Sequence, residues 1–179
     1  MAKADTSVSH FNWKQAGAPS LSGQIGKALD VMRAVLVTGY GLSSVDSAAI
    51  AGSVCTLTIS AGHSQIVDGV CEIAGVTTPA VLNGKWKVKA ITATTVVFDM
   101  DAIADQTATG AITVKVASLG WTEAFTGTNI ACFKSSDPTS NSHYLRVDDS
   151  VASPLRVIGY ESMTAHSTSS FASVSHSAM

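Results

Sequence analysis

The sequence predicts a mainly β fold of the α+β type: an N-terminal helix packed on a C-terminal antiparallel meander, with a small five-stranded β-barrel inserted between them. Three observations predict it. Helical periodicity is sustained only over 22–37. Over 46–117, apolar residues recur at every second position in short runs broken by Gly, Asn and Pro. After Gly120, three short β-type runs are separated by polar stretches holding Asp137-Pro138 and Ser153-Pro154, which reverse a strand. The expected organisation is a discontinuous body of residues 1–45 and 118–165, an inserted barrel at 46–117, and a Ser-rich tail or arm at 166–179.

Residues 1–20 are polar and end in Ala16-Gly17-Ala18-Pro19, a composition that suits an extended arm. Phe11 and Trp13 would anchor it, since two aromatics so close together are foreign to a disordered tail. The arm is expected to dock on its own subunit or on a neighbour. The helix follows: Ile25, Leu29, Met32 and Leu36 form one stripe, widened by Ala28 and Val35, with Lys27, Asp30 and Arg33 opposite. Ser22 is the expected N-cap and Gly39 the left-handed stop.

In the 46–117 segment, Cys55, Leu57 and Ile59 alternate with Thr56, Thr58 and Ser60. Trp86, Val88 and Ala90 alternate with Lys85, Lys87 and Lys89, which puts the lysine face in water. Cys71 and Ile73 flank Glu72, and 96–99 and 112–116 complete five strands, with a turn at Leu82-Asn83-Gly84. Closure into a barrel would remove bare edges. The meander is expected at 129–134, 143–148 and 155–160, and the helix and meander cover one another because neither buries its apolar face alone. The tail at 166–179 carries Phe171 and Val174 as isolated apolar anchors. With Phe11 and Trp13 they are the candidate subunit contacts.

Composition narrows the function classes. An apolar share of 46 % fills a core, while a charged share of 13 % is about half the usual one and leans towards close-packed β proteins and assemblies. A net charge of −2 without a Lys/Arg cluster argues against nucleic acid as a partner. The first residues lack an apolar signal core and no apolar run is long enough to span a bilayer, so a soluble chain made in the cytosol, with no membrane partner, is expected.

The chemistry-bearing residues make no familiar constellation. Cys55, Cys71 and Cys132 lack metal or redox spacing, and buried free thiols are the plain reading. The histidines at 10, 63, 143, 166 and 176 are scattered. Asp99, Asp101 and Asp105 lack the Gly and terminal Glu of a calcium loop, so a solvated loop is expected instead. Gly39-Tyr40-Gly41 lacks the third glycine of a dinucleotide fingerprint, and no nucleophile elbow is present. Asp148 and Asp149, adjacent on a strand, face opposite ways and cannot share a proton. An ion pair of Asp148 with Arg156 and a turn role for Asp149 are expected. No cofactor, metal site or catalytic residue is assigned, and the sequence reads as non-enzymatic.

Four stretches carry a resemblance: LVTGYGL (36–42), GWTEAFTGTN (120–129), YLRVDD (144–149) and RVIGYESM (156–163). Together they resemble a family of virion structural proteins of tailed bacteriophages and prophages. The 46–117 segment, with Gly62-His63, VCEIAGV (70–76) and LNGKWKV (82–88), resembles the small β-barrel that phage proteins share with the first-cysteine half-domain (FCCH) of ubiquitin-activating enzymes. That likeness is of fold, without ubiquitin chemistry, and this chain has Ser64-Gln65 where many relatives continue with Gly-Leu. The resemblance implies a multi-copy virion component, assembled in the host cytoplasm, whose partners are its own copies and other virion proteins. Neck (collar) or tail is the first expected location and capsid decoration the second. A host-surface, adhesin-like module with a host receptor is the alternative from another class, and Trp86, the barrel's single Trp, alternates inward rather than onto its surface.

Overall fold

The structure is a computed structural model that describes residues 3–151, 154–166 and, as backbone, 171–173. It is mainly β, and among the described residues all strand pairs are antiparallel. The chain divides into two compact units: Met1–Ala18 with Gly39–Ala117, and Pro19–Thr38 with Ser118–Met179.

Among its described residues the first unit holds nine strands: β1 (Tyr40–Ser44), β2 (Ser47–Ala51), β3 (Val54–Thr58), β4 (Val70–Thr78), β5 (Gly84–Lys87), β6 (Ala90–Ile91), β7 (Thr95–Asp99), β8 (Gln106–Thr107) and β9 (Thr109–Val116). They form two sheets, ordered β1-β9-β4-β5 and β6-β7-β3-β2-β8. Period-two alternation sends Cys55, Leu57 and Phe98 from one sheet and Cys71, Ile73, Trp86 and Val114 from the other into a shared core. Across it the Trp86 and Phe98 rings stack with centroids 5.1 Å apart. Asn83 ties the turn before β5: its Oδ1 accepts from Val76 N–H at 3.0 Å and its Nδ2 donates to Val76 O at 2.8 Å.

This architecture corrects the expected closed five-stranded barrel. The sheets end on β1 and β5 and on β6 and β8, and among the described residues no ladder joins one sheet to the other. Edges are blunted by brevity instead, since β6 and β8 are two residues each. The sequence reading omitted β1 and β2, because 40–51 is rich in Gly, Ser and Ala and has few β-branched residues. Because β1 pairs with β9, the sandwich starts earlier in the chain than the composition shift at 46.

The second unit contains α1 (Lys27–Arg33), which runs on as a π-helical turn over Ala34–Thr38. Its sheet runs in the order β10 (Trp121–Gly127), β11 (Ile130–Ser135), β12 (Tyr144–Asp148), β13 (Arg156–Met163) and β14 (Phe171–Ser173). Leu29 and Leu36 pack on Ala131, Phe133 and Val147 of this sheet. On the other face, Cys132, Tyr160 and Met163 gather Phe125 and Tyr144 around them. The helix is shorter than expected. Gly23 and Gly26 take left-handed φ of 72° and 85°, so Ser22 caps nothing and Ile25 is left 47 % exposed while Leu29 is buried.

Candidate functional site

The N-terminal segment lies on the first unit, seated by polar hooks. Gln15, buried at the contact, donates from Nε2 to Ser64 O at 2.8 Å, and its Oε1 accepts from Tyr40 Oη at 2.6 Å and from Asn12 N–H at 2.8 Å. Ser64 Oγ in turn donates to Ala16 O. Backbone approaches backbone here: Gly41 has φ 66°, and a Cβ on it would strike the Ser64 side chain and the Ala16 carbonyl. Glycine is therefore required by space as well as by dihedral angle. Closer to the terminus, Lys3 N–H donates to Asp101 Oδ1 at 3.0 Å, and the Lys3 ammonium sits 4.3 Å from the Trp86 ring centroid.

Of the four candidate subunit contacts, the structure places two in full. Phe11 is half-buried against Tyr40 of its own chain, with ring centroids 6.2 Å apart. Trp13 projects outward, 75 % exposed, with the Lys14 ammonium 5.4 Å from its ring centroid. Phe171 begins β14, which pairs with β13, but its side chain lies outside the described residues, as does the whole of Val174.

The second unit ties its charged side chains to one another. Asp149, buried just past β12, accepts from the Ala28 and Leu29 N–H groups at 3.0 and 3.4 Å and so supplies from a distant strand the acceptor that Gly26 cannot give the helix start. This replaces the turn role expected for it. Arg33 grips Glu123 bidentately at 2.9 and 2.7 Å. The pairing raises the Arg33 pKa and holds that of Glu123 below its ordinary value. Asp148 pairs with Arg146 at 2.9 Å rather than with Arg156, which lies across the ladder from it. Residues i and i+2 share a strand face, and the Arg146 guanidinium, buried there, needs the carboxylate more than the exposed Arg156 does. Hydrogen bonds from Ser150, and then Arg146, lower the Asp148 pKa.

The remaining candidates are held in architectural contacts. Cys55, Cys71 and Cys132 are free and buried, and burial pushes the first two up to about 12, far from a reactive thiolate. Asp99 pairs with Lys89 at 2.8 Å, and Asp105 accepts from Gly52 N–H at 2.8 Å, so with Asp101 on Lys3 the three carboxylates serve separate contacts. Among the described residues no His, Cys, Asp and Glu gather as a metal site, and no helix is long and apolar enough to cross a membrane. His63 reaches Thr92 O and Thr95 O through Nε2 at 2.9 and 3.1 Å, and its Nδ1 accepts from Gln65 N–H. Missed by sequence reasoning was the hollow these residues build with the N-terminal segment. Its volume is about 240 Å³, and its lining includes Asn12, Lys14, Gln15 and Gln65. No local signal announces it, because its two walls are some fifty positions apart in the chain.

No protein-family model, no curated protein and no solved structure matches the chain.

Proposed function

We propose that the chain is a non-enzymatic structural protein of a tailed-bacteriophage virion, present in many copies, with the neck or tail as its place and capsid decoration as the second choice. The single observation that carries this beyond the resemblance is the use made of the charged side chains in the resembling stretches. Glu123, Arg146, Asp148 and Asp149 are committed to holding helix and strands together rather than converging on an open cavity. A site for chemistry needs polar groups aimed at a ligand. Here these four are aimed at the fold.

Apolar exposure supports the assembly reading. Val8 and Trp13 on the N-terminal segment and Leu42 on β1 are 64 %, 75 % and 69 % exposed, and an assembled particle supplies surfaces to cover such residues. Quantitative mass spectrometry of purified particles from the phage or prophage that encodes the chain tests the proposal. Several copies per particle, in fixed ratio to the other virion proteins, are expected. Absence from particles in lysates that contain the protein would contradict it.

A further inference from the structure

Half of β13 has an open edge in the second unit. On one side β13 pairs with β12 from Arg156 to Tyr160, but on the other β14 meets it only from Tyr160 to Met163. Over 156–159 every second residue turns its backbone N–H and C=O to that open side, and among the described residues no strand lies there to receive them. The side chains are uncovered as well. Val157 stands opposite Val147 and Gly159 opposite Leu145, so both lie on the face that α1 covers, since directly opposed residues share a face. Val147 is fully buried there, whereas Val157 is 48 % exposed and Leu155, just before the strand, 43 %. A helix about 10 Å across spans two strands of a sheet, and Leu29 and Leu36 set α1 and its π-helical turn on β11 and β12. Beyond them the face is open: a Cβ on Gly159 would meet nothing within 4 Å.

We infer that residues 174–178 of the same chain occupy this open edge as a continuation of β14, with Val174 covering Gly159 and the added strand shielding β13 from the edges of other copies. Direction and register come from the ladder already formed. Ser173 stands opposite Tyr160, so the residues that follow meet Gly159 to Leu155 in turn. The face follows too. Tyr160 belongs to the cluster with Cys132 and Met163, so the position after Ser173 alternates to the α1 face, over Gly159 and beside Leu145. Composition agrees: Val-Ser-His-Ser-Ala holds no Pro to break a ladder, and Arg156 would stand opposite Ser177 rather than another cation. A strand from a second copy would have to enter where Ser173 already directs its own chain. Bare strand edges invite pairing between molecules, and this cover removes one. It does not depend on the virion reading, which stands or falls on particle composition.

The test uses the full chain with paired cysteines under mild oxidation. Gly159→Cys with Val174→Cys should form a disulfide within one chain, at least ~10-fold faster than Ile158→Cys with Val174→Cys, whose side chains point to opposite faces. Non-reducing gels separate a bridge within one chain from one that joins two. The native cysteines are buried and free, and so stay out of the reaction. Hydrogen exchange on the parent chain and on a chain ending at Ser173 reads the cover itself. Loss of 174–179 should speed exchange over 156–159 by ~10-fold or more while 130–135 of β11 keeps its protection. The cysteine pairs decide the matter even where the shortened chain loosens elsewhere. A disulfide that joins two chains would assign the edge to a second copy and overturn the inference. Equal rates for the two cysteine pairs, or exchange over 156–159 that the truncation leaves unchanged, would overturn it as well.

Discussion

Asp149 illustrates how much of the second unit depends on single polar atoms. Its carboxylate is the acceptor for two N–H groups at the start of α1, so Asp149→Ala should destabilise that unit by about 1–2 kcal/mol, as loss of a helix cap does, and Asp149→Asn by less. Chemical denaturation followed by circular dichroism reads both. Acid should act on the neighbouring pairs. Glu123 and Asp148 have folded-state pKa values depressed below their ordinary 4.5 and 3.8, by the Arg33 hydrogen bond and by the Ser150 hydroxyl respectively. A depressed carboxylate contributes stability that is fully present above its unfolded value and is lost as pH falls through the folded one. Stability of the second unit should therefore drop below about pH 4.5, and Glu123→Gln should lower the neutral-pH plateau and flatten that slope. A slope unchanged in Glu123→Gln would remove this pair from the account. In the first unit Gly41→Ala should unseat the N-terminal segment, since the new Cβ meets Ser64 and Ala16 O. Limited proteolysis would then cut within 3–18 faster than in the parent chain, and equal rates would show that the seat yields.

At the level of elements, what the sequence made legible was side-chain periodicity, and what it hid was backbone and partner choice. The stripe Leu29, Met32, Leu36 was readable because it recurs at helical spacing, and Leu29 is indeed 1 % exposed. The helix start was not readable, because Gly23 and Gly26 decide it through left-handed dihedrals and the acceptor comes from Asp149, some 120 residues on. Alternation exposed β3, β4, β5, β7 and β9. It missed β10, where Trp121, Thr122, Glu123, Ala124 and Phe125 mix sizes and charges. The hollow beside Gln65 was likewise invisible, since its two walls, 12–16 and 63–66, lie far apart in the chain. Leu29→Ala should cost about 2–5 kcal/mol, a large part of the stability of a small domain, and the loss should fall on the second unit. Calorimetry of the full chain would show one transition moved and another unmoved, whereas equal loss in both would mean that the units do not melt separately.

Taken as a whole molecule, the chain is two β-rich units threaded through each other in sequence, each with its own buried cluster. That organisation predicts that a fragment of residues 39–117 folds alone, because β1 to β9 supply both sheets and the entire shared core. Amide exchange would report protected strands in such a fragment, and uniformly fast exchange would refute the independence of the sandwich. Low charge, exposed apolar side chains and polar groups spent on internal ties are together what a building part needs, for it must be rigid and must present dry surface to its neighbours. The central claim, membership of a virion, is met most directly by immunogold electron microscopy of intact particles with an antibody against the 39–117 sandwich. Gold at a fixed place on every particle, at the neck or tail, is the result the account predicts. Particles that stay unlabelled, although the protein is present in the same lysate and the antibody recognises it, would contradict the account.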